Sequence, residues 1–133
     1  MRFGSEAVRA AAFRAAPASA QQVNCAEAVA QIELTCCAEQ AWRAANAELN
    51  RVWARAVDHA TALRASLPAL AAVNIEEDLR AAQRVWIDFR DLACAAESHM
   101  AWGGSMAPMP VHSCRERPTR QRTEDLRRFG QVN

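Results

Sequence analysis

A chain of 133 residues holds one domain, two at most, and is long enough to bury a core. Its 16 basic residues, all of them arginine, stand against 15 acidic ones, and the net charge of +1 argues against a nucleic-acid surface or a strongly charged partner. Apolar residues make up 51% of the chain, with alanine a large share and tyrosine and lysine absent; no run of about 18 apolar residues occurs, so no segment is expected to span a membrane.

Residues 1–22 read as a leader or a disordered tail. Arg2 could begin a basic n-region, and Ala18-Ser19-Ala20 is a small-residue cleavage pattern followed by Gln21-Gln22. The stretch between is a poor apolar region, because Glu6, Arg9 and Arg14 interrupt it. Removing residues 1–20 takes away three arginines and one glutamate and turns the net charge to −1.

The remainder, residues 23–130, reads as one helical domain. From Gln31 to about Leu67, apolar side chains at Trp42, Ala45, Leu49, Val52, Ala56, Ala60, Leu63 and Leu67 recur at intervals of three and four and share one face. Trp53 and Val57 widen that stripe, and Pro68 ends the helix. A second helix opens at Asn74, a capping residue with Glu77 three positions on. Its stripe is expected at Ile75, Leu79, Ala82, Trp86, Phe89, Ala93, Ala96 and Met100. The connection between Pro68 and Asn74 is short, so the helices should lie antiparallel with their stripes facing. Gly103-Gly104-Ser105 stops the second helix. Met106 to Pro110, with two prolines, reads as loop. A shorter third helix is expected from about Thr119 to Phe129, with Leu126 and Phe129 inward. No strand pattern occurs. The fold class is all-α: an antiparallel helix hairpin plus a shorter third helix, stapled by disulfides.

The cysteines are Cys25, Cys36, Cys37, Cys94 and Cys114, and no two form a C-x-x-C pair. A thioredoxin-like motif and a zinc ribbon are therefore unsupported, and His99, His112, Cys94 and Cys114 lack any recognised ligand spacing. Two disulfides with one cysteine left over fit better, which places the chain outside the cytosol. A chain that reverses after the glycines can bring Cys94 and Cys114 within bridging distance, about 5–6 Å between Cα atoms. Cys25 can reach Cys37 only if the first helix begins near Gln31; a continuous helix over 25–37 would hold the ends ~18 Å apart. Cys36 would remain, pointing about 100° away from Cys37. The residues alone leave the connectivity open.

Nothing assembles a catalytic centre. Glu76-Glu77-Asp78 is an acidic first turn favoured by the helix dipole, and Asp88 and Asp91 have Arg84 and Arg90 nearby as ion-pair partners. No G-x-S-x-G, H-E-x-x-H or phosphate loop occurs. The arginines from Arg115 to Arg128 alternate with Glu116, Glu124 and Asp125 and read as a solvated helix face. Trp42, Trp53 and Trp86 fall at stripe positions, whereas Trp102 adjoins the glycines and could meet a partner.

Cys37, Asn46, Leu49-Asn50 and Trp53, in that order, resemble the first-helix signature of the LprI-like lysozyme-inhibitor domain family. That family usually shows an acidic residue where Asn46 stands and a tyrosine where Trp53 stands. Leu79, Ala82-Gln83-Arg84, Trp86-Ile87, Arg90-Asp91 and Cys94 are similar to its central signature. Gly103-Gly104-Ser105, Cys114, Thr119, Arg122 and Leu126 follow in order, so the resemblance covers about residues 25–127. It implies a small secreted or periplasmic α-helical module with four characteristic cysteines, Cys25, Cys37, Cys94 and Cys114, and Cys36 as an addition. Two departures stand out: the leader lacks the cysteine of a lipoprotein signal, and Pro118 replaces an apolar position and should shorten the third helix from its N-terminal side.

The expectation is a non-enzymatic binding module without catalytic residues, cofactor or metal, whose partner is a lysozyme or another envelope protein. An inhibitor would fill the muramidase cleft, presenting the loop from Trp102 to His112: Gly103 and Gly104 permit close backbone approach, and Ser105 can donate. The alternative is a structural or stress-related envelope protein, in which Gln83, Arg84, Arg90 and Asp91 simply tie helices together. Cys36 would let two copies pair.

Overall fold

A computed structural model describes residues 22–101 and 108–131. It contains three helices, α1 (Gln31–Ser66), α2 (Ile75–Ser98) and α3 (Pro108–Phe129), and no strand among the described residues.

Helix α1 begins at Gln31, where the Glu33 carboxylate accepts hydrogen bonds from the backbone N–H groups of Val29 and Ala30, both at 3.1 Å. It ends at Ser66 because Leu67, which precedes Pro68, is extended at φ −115° and ψ 107°. A single 3-10 turn, Pro68–Leu70, leads into α2. The Asn74 side chain accepts from the Glu77 N–H at 3.1 Å and its amide reaches back to the Glu77 carboxylate at 3.2 Å, the expected cap.

Helix α3 departs from expectation in length. It starts at Pro108 rather than near Thr119, and runs through Pro118. Pro108 and Pro110 occupy its first turn, where backbone N–H groups have no intrahelical acceptor, so neither proline removes a hydrogen bond. Pro118 does cost one, the bond to the Cys114 carbonyl, but the turn is held by the Cys94–Cys114 bridge.

The three helices alternate in direction. Thr61 of α1 donates to Glu76 near the start of α2, while Trp42 lies beside Arg90 farther along it, so α1 and α2 are antiparallel. Helix α3 runs with α1: Trp42 faces His112 and His59 faces Phe129. The main packing of α1 is against α3, not α2, which corrects the expectation that the stripes of α1 and α2 simply face each other. Leu49, Val52, Ala56 and Ala60 of α1 meet Leu79 of α2 and Leu126 of α3, flanked by half-buried Trp53, Val57, Ile75, Trp86 and Phe129. Thr119 and Thr123 on α3 are also buried and add little apolar bulk. So slight a core leaves a large part in stability to the bridges, each contributing about 2–4 kcal/mol.

The buried face of α2 is not the predicted one. Its inward residues are Leu79, Gln83, Arg90 and Cys94, with Trp86 half-buried. The expected members Ala82, Phe89, Ala93, Ala96 and Met100 are exposed. The helix is turned by roughly 70° from the face that apolarity alone selects, at 100° per residue.

Candidate functional site

One disulfide ties the segment before α1 to that helix, and the other ties two helices together. Cys25 joins Cys37 with Cα atoms 5.6 Å apart, which the start of α1 at Gln31 makes geometrically possible. Cys94 joins Cys114 at 5.5 Å, locking α2 to α3. Cys36 is a free, half-buried thiol whose sulfur accepts from the Gln40 amide at 3.3 Å.

Where α2 and α3 meet α1 lies a ladder of guanidinium groups and indoles. Arg90 is 7% exposed, with its guanidinium 5.1 Å from the Trp86 ring centroid and 6.0 Å from that of Trp42. Arg115 covers Trp42 at 5.2 Å, and Arg122 covers Trp86 at 6.0 Å. The order is Arg115, Trp42, Arg90, Trp86, Arg122, each cation within range of an aromatic face. Carboxylate and amide oxygens complete it. Asp91 accepts from Arg90 Nε at 2.9 Å and pairs with Arg115 at 3.2 Å. Gln83 accepts from Arg122 Nε at 2.9 Å, and Thr119 Oγ1 accepts from Arg90 Nη1 at 3.5 Å. Buried arginine is tolerable only with such partners.

The residues singled out in the sequence therefore divide. Gln83, Trp86, Arg90, Asp91, Thr119 and Arg122 come together in this ladder, and Leu49 enters the core. Asn50 and Arg84 are exposed and join neither. His112 stands on α3, stacked on Trp42 at 5.9 Å, not in a loop. Trp102, Gly103, Gly104 and Ser105 lie outside the described residues. Trp42, Arg115 and His112 were missed as network members; their signal was the position of Cys94, which must face inward to bridge and carries Arg90, four residues earlier, with it.

The Trp42 Nε1 and His112 Nδ1 atoms are buried and lack hydrogen-bond partners among the described residues. Next to them, α1 and α3 enclose a groove of about 570 Å³ with Ala45 among its lining residues. Its charges neutralise one another: Arg127 pairs with Glu48 and Glu124, Arg120 with Glu116, and Arg117 with Glu97. Hydrogen bonding from Arg51 holds the Glu48 carboxyl below the ordinary range, against some desolvation, with Arg127 adding to the effect. Glu76 is lowered in the same way, first by Arg80 and then by Thr61.

No group of three or more His, Cys, Asp or Glu side chains suited to a metal occurs among the described residues, and no described helix is long and apolar enough to cross a membrane. The arrangement is a cross-braced scaffold holding the two ends of the 102–107 stretch: α2 and its terminal turn on one side, α3 on the other.

A protein of uncharacterised function from Rhizobium meliloti (strain 1021) is 41% identical over 119 residues, covering 84% of each chain. No solved structure matches. The family described as "Lysozyme inhibitor LprI" matches residues 23–126, a span containing both disulfides and the whole arginine–tryptophan ladder. The chain belongs to the LprI lysozyme-inhibitor family.

Proposed function

We propose that the protein is a secreted or periplasmic binding module without catalytic activity, which inhibits a lysozyme-type muramidase by occupying its cleft. The observation that carries this reading is the family match over residues 23–126. The two bridges support an oxidising compartment outside the cytosol. The inhibitory element is the stretch around Trp102, Gly103, Gly104 and Ser105. Its backbone N–H groups and the Ser105 hydroxyl can donate to the pair of carboxylates that such an enzyme uses, and glycine lets the backbone come close. The Cys94–Cys114 bridge restricts where the two ends of that stretch can go, so less ordering is needed on binding.

A second reading has its own observation. Gln83, Arg90 and Asp91 are spent on holding α2 to α3 and to Trp42, as a structural envelope module would need. Clearing of a cell-wall suspension by lysozyme, followed by turbidity with and without the protein, decides between them: slowed clearing supports the inhibitor, and unchanged clearing the envelope module.

A further inference from the structure

The turn of α2 that buries Gln83 and Arg90 leaves a second apolar face on the outside. Val85, Phe89 and Leu92 are 69%, 66% and 72% exposed, with exposed Ala82 and Ala96 completing the row. Together they expose on the order of 400 Å², at the upper end of what a monomer shows in one patch. We propose that this face is where two copies of the chain meet, with α2 of one copy packed antiparallel on α2 of the other about a two-fold axis. The proposal is independent of the lysozyme reading.

Three features select a second copy as the occupant. The row from Ala82 to Ala96 steps by three, four, three and four residues, the spacing by which one helix packs knobs into holes of another. A two-fold axis between Val85 and Phe89 sets Val85 against the second copy's Phe89, and Ala82 against its Leu92. Each large side chain then meets a smaller one, and the patch complements itself as an isologous interface requires. The same register puts Arg84 and the second copy's Asp88 on one rim, two residues or about 3 Å out of level and within reach of an extended guanidinium side chain. Within one chain these two residues are four apart, yet neither forms an ion pair among the described residues. The stripe and its rims would bury on the order of 600 Å² per copy, the lower end for specific interfaces, so the dimer should be reversible.

Sedimentation equilibrium on the full oxidised chain tests this. Wild-type protein and Cys36→Ser should both dimerise with a dissociation constant in the micromolar range. Phe89→Asp should raise that constant roughly 30-fold or more with an unchanged helical melt. Arg84→Asp should raise it by roughly 3- to 10-fold, and adding Asp88→Arg should bring it back to within about 2-fold of wild type. A wild-type chain that stays monomeric up to about 100 μM overturns the proposal. So does a dimer that survives Phe89→Asp, or one that disappears in Cys36→Ser, which would assign it to a thiol bridge. Binding of monomeric wild type to anionic phospholipid vesicles, lost in Phe89→Asp, would also overturn it by assigning the face to lipid.

Discussion

The guanidinium of Arg90 lies 5.1 Å from the Trp86 ring centroid, inside the protein rather than on its surface. A buried cation contributes little net stability when fully partnered, but deleting one side of such a pairing leaves the other stranded. Arg90→Ala removes the cation shared by the two indoles, leaves Thr119 Oγ1 without its donor and leaves Asp91 with Arg115 alone. It should destabilise the fold by about 2–4 kcal/mol, measured as a shift in urea midpoint. Arg90→Lys should recover less than half of that, since an ammonium cannot stack between two rings. Arg84→Ala, exposed and outside the network, should stay within about 0.5 kcal/mol.

Core substitutions should follow the observed face of α2, not the apolar one. Leu126→Ala removes a side chain 2% exposed and should cost about 2.5–5 kcal/mol. Trp86→Ala, half-buried between two guanidinium groups, should cost about 3 kcal/mol or more. Phe89→Ala, at protein concentrations where the chain is monomeric, should cost under about 1 kcal/mol. Comparable losses for Phe89→Ala and Trp86→Ala would show that the helix is turned the other way.

Much of this was legible in the residues. Pro68 and Asn74 fix the ends of α1 and α2, because a proline restrains its predecessor and an asparagine caps. The Cys25–Cys37 span requires α1 to start near Gln31, where it does start. The face of α2 was misread because counting apolar residues gives Gln83 and Arg90 no claim on the interior, whereas indole faces and the Thr119 hydroxyl make that interior hospitable to them. Cys94 held the correction: a bridged cysteine points inward, and Arg90 and Gln83 lie four and eleven residues before it on the same side. The first half of α3 was hidden by treating Pro108 and Pro110 as breakers, although a first turn has no use for their missing N–H groups. Trp102 to Ser105, carrying the proposed contact, lie outside the described residues.

The cysteines should give a simple chemical readout. Alkylation of the folded, unreduced protein followed by mass spectrometry should label Cys36 and no other cysteine. Cys25→Ser should lower stability by about 2–4 kcal/mol and free Cys37 for labelling. Five labelled thiols in oxidised protein would remove both the bridges and the argument for an oxidising compartment.

Acid should weaken the ion pairs of Glu48 with Arg51 and Arg127 and the contacts of Glu76 with Arg80 and Thr61. Glu48 and Glu76 both have carboxyls held below the ordinary value of 4.5. Their contribution is therefore complete above that value and disappears as pH falls through the lowered folded-state range. The thermal midpoint of wild type should drop as pH is taken below about 4.5, and a Glu48→Gln, Glu76→Gln variant should drop less steeply over the same interval. Parallel curves would show that neither contact matters to the fold.

The most direct test of the inhibitor reading is a dose–response of lysozyme turbidity clearing with wild type, Trp102→Ala and Cys114→Ser. Wild type should slow clearing in proportion to its concentration. Trp102→Ala should be weaker by roughly 10-fold or more, as for an aromatic anchor, with an unchanged melting temperature. Cys114→Ser should also be weaker at temperatures where the helices remain folded, through lost restraint of the 102–107 stretch. Undiminished clearing in the presence of excess wild-type protein would contradict the account and leave the envelope-module reading in its place.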